Sequence, residues 1–252
     1  MTELAPLRFS ILKKMALSPA HARHAMQFPD DRDTPAMRLG RLAHACFLGL
    51  NVPTVFPGER RGNVWKAFKA KHKGEDIVTE AEFETCSAMA AALHAHREAR
   101  TLLMGKREQT ILFDFAGRPC RATPDVFTTG HLTDLKSTAD ASPHRFPYTA
   151  MRLGYHAQMA WYKDALIAAG FPAPGKLSLV AIETRPPYAV AVYAVTERAE
   201  DFGRRLYRTW IEEFLNCERS NDWPGYPPGV LDAPEDAVEL VGADGEVIEA
   251  YD

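Results

Sequence analysis

The feature that most constrains this chain is a change of period near residue 109. Before it, apolar residues recur at helical spacing. After it come three short segments, "QTILFDFAG", "RPCRATPDVFT" and "HLTDLKST", rich in β-branched and aromatic residues and separated by turn signals at Ala116-Gly117 and Thr129-Gly130. They read as an antiparallel meander. A helix, two further strands ("KLSLVAIET" and "YAVAVYAV") and a last helix follow. Helices and strands in that order bury their apolar faces by packing helices against a sheet, so the expected fold is α/β, a mixed central sheet flanked by helices.

The helical half carries its own punctuation. Ser18 and Pro19 suit the N-cap and first position of a short helix that "FPDDRDTP" ends. In "PAMRLGRLAHACFLGL", Leu39, Leu42, Ala43, Cys46, Phe47 and Leu50 form one apolar stripe, with Gly40 and His44 four residues apart beside it. "NVPTVFPGERRGNVW" reads as loop. "WKAFKAKHKG" and "TEAEFETCSAMAAALHAHREARTLL" read as helices, the second capped by Thr79 with Glu82 three residues on. After the meander, "GYHAQMAWYKDALIAAG" and "TERAEDFGRRLYRTWIEEFLNCE" complete the helices. We expect one domain over residues 1–220 and an extended or mobile tail over 221–252, where Pro, Gly and acids accumulate.

Composition narrows the class. With 252 residues, 46% of them hydrophobic, the chain can build one substantial core. Cys46, Cys86, Cys120 and Cys217 have no paired spacing, which argues against a disulfide framework or a C-x-x-C metal site. No apolar run approaches the roughly 18 residues of a membrane span, and the N-terminus lacks a signal-peptide core. A cytoplasmic protein without membrane contact is expected. The net charge of −3 leaves the choice of partner to local clusters.

"TPDVFTTGHLTDLKST" is where chemistry concentrates. Residues two apart on a strand share a face, so Asp134 and Lys136 project together while Leu135 points the other way. Asp125 precedes the Gly130 turn by about as much as Asp134 follows it, so the two carboxylates can meet across the ladder. Pro124 removes a ladder donor just before Asp125, as at a bulge or strand end. Close carboxylates repel, and the usual remedies are a raised pKa or a bound cation. Hard oxygen ligands suit magnesium or manganese. An isolated D-x-K is commonly a solvated ion pair of little consequence.

The company these residues keep points further. Pro124-Asp125 followed by Asp134-Leu135-Lys136 resembles the PD-(D/E)xK nuclease signature. Gln158 and Tyr162, one turn apart on the next helix, resemble the Q-x-x-x-Y element of the RecB-type branch, and "GRLAH" resembles its G-x-x-x-H element. The wider match over residues 8–220 is similar to the phage and prophage exodeoxyribonuclease VIII type, the RecE-like nuclease domain. That resemblance implies a restriction-endonuclease-like core with His44, Asp125, Asp134 and the Leu135 carbonyl as metal ligands. Lys136 would orient water, Gln158 and Tyr162 would hold the site or the DNA end, and Glu108 would be a further acid. It also implies Mg2+, with Mn2+ able to substitute, and digestion of linear double-stranded DNA from the 5′ end to leave 3′ overhangs. A homo-oligomer, ring-like in form, and a single-strand annealing protein are the implied partners.

Other charged groups could serve the same substrate. Arg60, Arg61, Lys66, Lys69, Lys71 and Lys73 cluster with Trp65 and Phe68, a composition suited to phosphate contact and base stacking or to a solvated basic helix. Arg121, four residues before Asp125, could reach a phosphate or simply sit on a strand surface. No glycine-rich phosphate loop is present. A RecB-type endonuclease or repair nuclease, and a DNA-binding or assembly module without catalysis, are the alternative readings.

Overall fold

The computed structural model describes residues 5–28, 35–48, 53–230, 239–241 and 247–249. In chain order these form β1 (Leu7–Arg8), α1 (Phe9–Leu12), a 3-10 turn (Lys13–Ala16), α2 (Pro19–Gln27), α3 (Pro35–Leu48), β2 (Thr54–Phe56), α4 (Gly62–Lys71), β3 (Ile77–Thr79), α5 (Glu80–Ala95) and α6 (Arg97–Leu102). The mixed half follows with β4 (Lys106–Arg107), β5 (Ile111–Phe115), β6 (Arg118–Ala122), β7 (Val126–Phe127), β8 (His131–Thr138), α7 (Phe146–Arg152), α8 (Tyr155–Ala168), β9 (Lys176–Glu183), β10 (Val190–Val195) and α9 (Glu197–Ser220). Strands β11 (Glu239–Val241) and β12 (Val247–Glu249) pair antiparallel near the C-terminus.

The main sheet has the order β10-β9-β8-β7-β4, with β8 and β9 parallel and its other pairings antiparallel. A second sheet has the order β1-β6-β5, with β1 parallel to β6. The expected three-stranded meander is therefore divided. Its middle segment leaves one sheet after Ala122, bends through Thr123, Pro124 and Asp125, and joins the other sheet as β7. Proline lacks the N–H a continuous ladder needs, so the break falls there. Asp125 accordingly occupies the bend between the sheets rather than a central strand.

The faces of β8 sort as their alternation requires. Leu132 belongs to the core beneath α8, with Ala157, Ala160, Trp161, Leu177 and Leu179. Leu135 belongs to a second core, with Ala43 and Phe47 of α3, Met89 and Leu93 of α5, and Ala99 of α6. The middle of the main sheet is thus covered on both faces, a stable arrangement for a parallel pair. Leu42, Ala43 and Phe47 of the predicted stripe are buried, whereas Leu50 and the side chain of Cys46 lie outside the described residues.

The caps are those the sequence implies. Ser18 accepts from the His21 N–H at the start of α2, and Thr79 with Glu82 makes a reciprocal capping box on α5. Two local readings change. The long helix expected to run to Leu103 breaks at His96, whose extended backbone ends α5 and whose Nδ1 caps α6 at Ala99. The loop after Pro53 contains β2, which pairs in parallel with β3. Val55 there packs against a small core of Leu42, Val78 and Cys86.

Candidate active site

The β7–β8 hairpin sets the central geometry. Val126 faces Thr133 and Phe127 faces Leu132, so the same register, continued one step, brings Asp125 opposite Asp134. Both aspartates are buried. Asp125 Oδ2 accepts the Leu135 N–H at 2.7 Å and lies 3.7 Å from His44 Nδ1. Burial, followed by the charge of Asp134, pushes the Asp125 carboxyl up to about 6, with His44, Lys136 and the Leu135 N–H opposing.

Lys136 closes the other side. Its Nζ is 2.5 Å from Asp134 Oδ2, 3.0 Å from Gln158 Oε1 and 4.5 Å from the centre of the Tyr155 ring. Burial alone would lower its pKa, but the charges of Asp134 and Asp125 and the hydrogen bond to Asp134 raise it above the usual value. At neutral pH Lys136 is therefore an ammonium, a donor of charge and hydrogen bonds rather than a base. Gln158 presents its oxygen to that ammonium and donates from Nε2 to the Tyr162 hydroxyl at 2.7 Å. Tyr162 is buried, and desolvation together with the two aspartate charges keeps it a neutral phenol. An amide on an otherwise apolar helix face thus finds a partner at each end, as a buried polar group must.

His44 arrives from the opposite face of the sheet. A Cβ on Gly40 would come within 2.8 Å of Ser137 Oγ, so the absence of a side chain there lets α3 approach β8 closely. One turn later, His44 Nε2 is 2.8 Å from the Leu135 carbonyl oxygen. A carbonyl only accepts, so Nε2 carries a proton in that contact and Nδ1 is the nitrogen turned to Asp125 Oδ2.

Glu108 joins from the edge. Its backbone N–H donates to the Asp125 carbonyl at 3.0 Å, and its φ of 44° lies in the left-handed region that a non-glycine residue adopts at some energetic cost. His44, Glu108 and Asp125 each offer one ligand atom, and these atoms lie within 4.8 Å of one another. Two carboxylates, one of them buried and reluctant to ionise, beside an imidazole nitrogen form a donor set that fits a divalent cation. The geometry gathers Glu108 into that cluster, while Asp134 pairs with Lys136 and the Leu135 carbonyl pairs with His44.

The surrounding cations divide by availability. Arg60 is occupied by Glu82 and the Ile77 carbonyl, and Arg61 pairs with Glu59. Lys66, Lys69, Lys71 and Lys73 are exposed on and just after α4. Trp65 and Phe68 pack against Phe56, so these rings fasten α4 to β2 and are not free platforms for bases. Arg121 is half-buried at the mouth of a cleft beside β1. Lys13, not singled out from the sequence, is half-buried within electrostatic reach of Lys136. Burial first, and then the Lys136 and Lys14 charges, lower its pKa. The adjacent lysines in "FSILKKM", set in an apolar stretch, were its only sequence signal. The Tyr155 ring also lies against the Lys136 ammonium.

The family model described as "PDDEXK-like domain of unknown function (DUF3799)" matches residues 8–231. The chain belongs to that family. The core is restriction-endonuclease-like, and Asp125, Asp134 and Lys136 all lie within the matched residues. Among solved structures, a presumed exonuclease from Eubacterium rectale superposes with a TM-score of 0.67 at 13% identity, covering 91% of this chain and 90% of that one. At that identity the likeness concerns the fold. A phage-related exonuclease from Haemophilus somnus aligns over 87% of this chain and 98% of its own, at 12% identity and a TM-score of 0.37. No curated protein matches the chain. Among the described residues, no helix of this PDDEXK-like protein is long and apolar enough to cross a membrane.

Proposed function

We propose that this PDDEXK-like protein is a Mg2+-dependent nuclease that hydrolyses phosphodiester bonds of double-stranded DNA from its ends. The observation that carries the reading is the set of buried Asp125 and Asp134 with half-buried Lys136, joined on one side to His44 and Glu108 and on the other to Gln158 and Tyr162. Isolated surface ion pairs have no such wiring. His44, Glu108 and Asp125, with Asp134 and the Leu135 carbonyl adjoining, would hold the cation. When bound, Mg2+ or Mn2+ supplies Lewis acidity toward phosphoryl oxygens and lowers the pKa of water.

The protein's own groups do the rest. The Lys136 ammonium, fixed between Asp134 and Gln158, points hydrogen-bond donors at the attacking water and at charge developing on the phosphate. Gln158, locked by Tyr162, keeps that ammonium from swinging away. As the water oxygen adds to phosphorus it gives up a proton to solvent, while the bond to the leaving sugar oxygen breaks and that oxygen takes up a proton from solvent. Exposed Lys66, Lys69 and Lys71 suit contact with the duplex backbone. A 5′-to-3′ direction, 3′ overhangs, a ring-like homo-oligomer and delivery of the product strand to an annealing protein in recombination follow from the likeness to RecE-type nucleases. A cytoplasmic setting accords with that role.

Incubation with linear, nicked and closed circular duplexes, with and without Mg2+, tests the reading. Progressive loss of linear DNA from its ends is expected, with Lys136→Ala slower by about 10³-fold. Cutting of closed circles would make the protein an endonuclease, and Mg2+-independent binding without cleavage would overturn the enzyme reading.

A further inference from the structure

Away from the aspartates, one cleft gathers three arginines, two of which have no ion-pair partner among the described residues. β1 runs parallel to β6 with Leu7 beside Cys120 and Arg8 beside Arg121. Residues paired in this way leave the sheet on the same side, so the two arginine side chains start out as neighbours. Both line a cleft of about 330 Å³ whose other walls include Pro6, Ile11 and Met26. Arg118 also borders it but is occupied, donating to Glu218 and to the carbonyls of Ala5 and Pro119. Arg8 is exposed and Arg121 half-buried, and neither has an ion-pair partner among the described residues. The Nε of Arg121 is buried with no acceptor. No carboxylate among the described residues lines the cleft.

Adjacent cations repel, and a buried guanidinium donor left without an acceptor costs free energy. One anion accepting from both side chains relieves both penalties, and the planar forks of arginine match the oxygens of a phosphate. The position suits the nuclease reading, on which this inference rests. Arg121 lies four positions before Asp125, a path of at most about 14 Å of extended chain. On the other wall, Ile11 leads within two residues to Lys13, which senses the charge of Lys136. DNA carries one phosphate per about 3.4 Å along each strand, so the cleft lies a few nucleotides from the metal cluster.

We propose that Arg8 and Arg121 form a second phosphate-binding site, which grips the nucleic-acid strand a few nucleotides from the bond being cut. The bound group is a phosphate monoester at a strand terminus or a phosphodiester within the strand.

The test compares wild type with Arg8→Gln/Arg121→Gln. Binding of a labelled duplex is followed in EDTA over about 50 to 200 mM salt, and cleavage is followed with Mg2+ at saturating DNA. The double variant is expected to bind about tenfold more weakly, with the slope of log affinity against log salt shallower by about one, and to keep the wild-type kcat. Arg121→Lys should restore most of the slope. Arg8→Gln alone, at an exposed position, should give part of the loss and serves if the double variant fails to fold. Duplexes with 5′-phosphate or 5′-hydroxyl ends and closed circles identify the source. Loss confined to phosphorylated ends assigns the terminal phosphate, and equal loss on all three assigns an internal one. An unchanged slope in a folded variant that still cleaves overturns the second site and leaves the nuclease reading standing. A wild-type protein that neither binds nor cleaves overturns both.

Discussion

At Asp125, electrostatics and cation binding become one quantity. Its carboxyl is raised from 3.8 to about 6 by burial and by Asp134, so folding favours the protonated form. That contribution to stability is complete below 3.8 and is lost as pH rises through 6. Above about pH 6 the metal-free protein therefore holds two buried carboxylates that a divalent cation would relieve, whereas near pH 5 a proton competes for the place. Addition of Mg2+ should raise the melting temperature more at about pH 7.5 than at about pH 5, and Glu108→Gln should reduce the increment. Equal increments at both pH values, read by differential scanning fluorimetry, would sever the link between Asp125 and the cation. Asp125, Asp134 and Lys136 were legible in the sequence because strand alternation and hairpin register fix which side chains meet. The hydrogen bond from His44 to the Leu135 carbonyl was not, since it depends on how closely α3 approaches β8. Nor did the sequence disclose that Glu108 is turned toward Asp125 by a left-handed backbone.

At the level of elements, the scaffold of the site depends on how α8 seats on α9. A Cβ on Gly203 would lie 2.5 Å from the His156 carbonyl oxygen, and backbone cannot move aside as a flexible side chain can. Gly203→Ala should cost at least about 2 kcal/mol in urea unfolding, with loss of activity from displaced Gln158. His156 is itself buried in this contact, its ring stacked on Phe202 at 5.4 Å. Burial lowers its pKa below 6.5, with only the Ala150 backbone opposing. Its contribution to stability is present in full above 6.5 and is lost as pH falls through the lower folded-state value. His156→Phe should flatten the decline of the melting temperature between about pH 7 and pH 5, and an unaltered decline would assign it to other groups. The positions of α8 and α9 were readable from period, yet their separation was not, because a helical glycine gives no sign of what lies against it. The aromatics of α4 misled for a related reason. Composition made Trp65 and Phe68 resemble a stacking surface, while their contacts with Phe56 make them an anchor.

On the scale of the whole molecule, the boundary expected at residue 220 falls inside a packed region. Trp223 stacks edge-on against Phe214 at 5.2 Å and lies beneath Arg23, and the Pro224 carbonyl accepts the Ala20 N–H at 3.0 Å. A chain ending at Ser220 should lose about 1–2 kcal/mol relative to one ending at Val230, as judged by chemical denaturation. Equal stability would reduce residues 221–226 to surface decoration. The mixed α/β class could be read from element order, but the division into two sheets could not, because it required the chain to change partners at Pro124.

The placement of the signature across a crossover has a consequence for biosynthesis. Lys136 lies on β8, and Gln158, which steadies it, lies 22 residues later on α8, ahead of the parallel partner β9. Parallel pairing repays its closure entropy only after the crossover has formed. A nascent chain still on the ribosome can therefore display both aspartates and the lysine yet lack the helix and strand that fix their positions. For a protein proposed to degrade DNA, the Asp125–Asp134–Lys136 set is then held in place only after α8 and β9 have been synthesised.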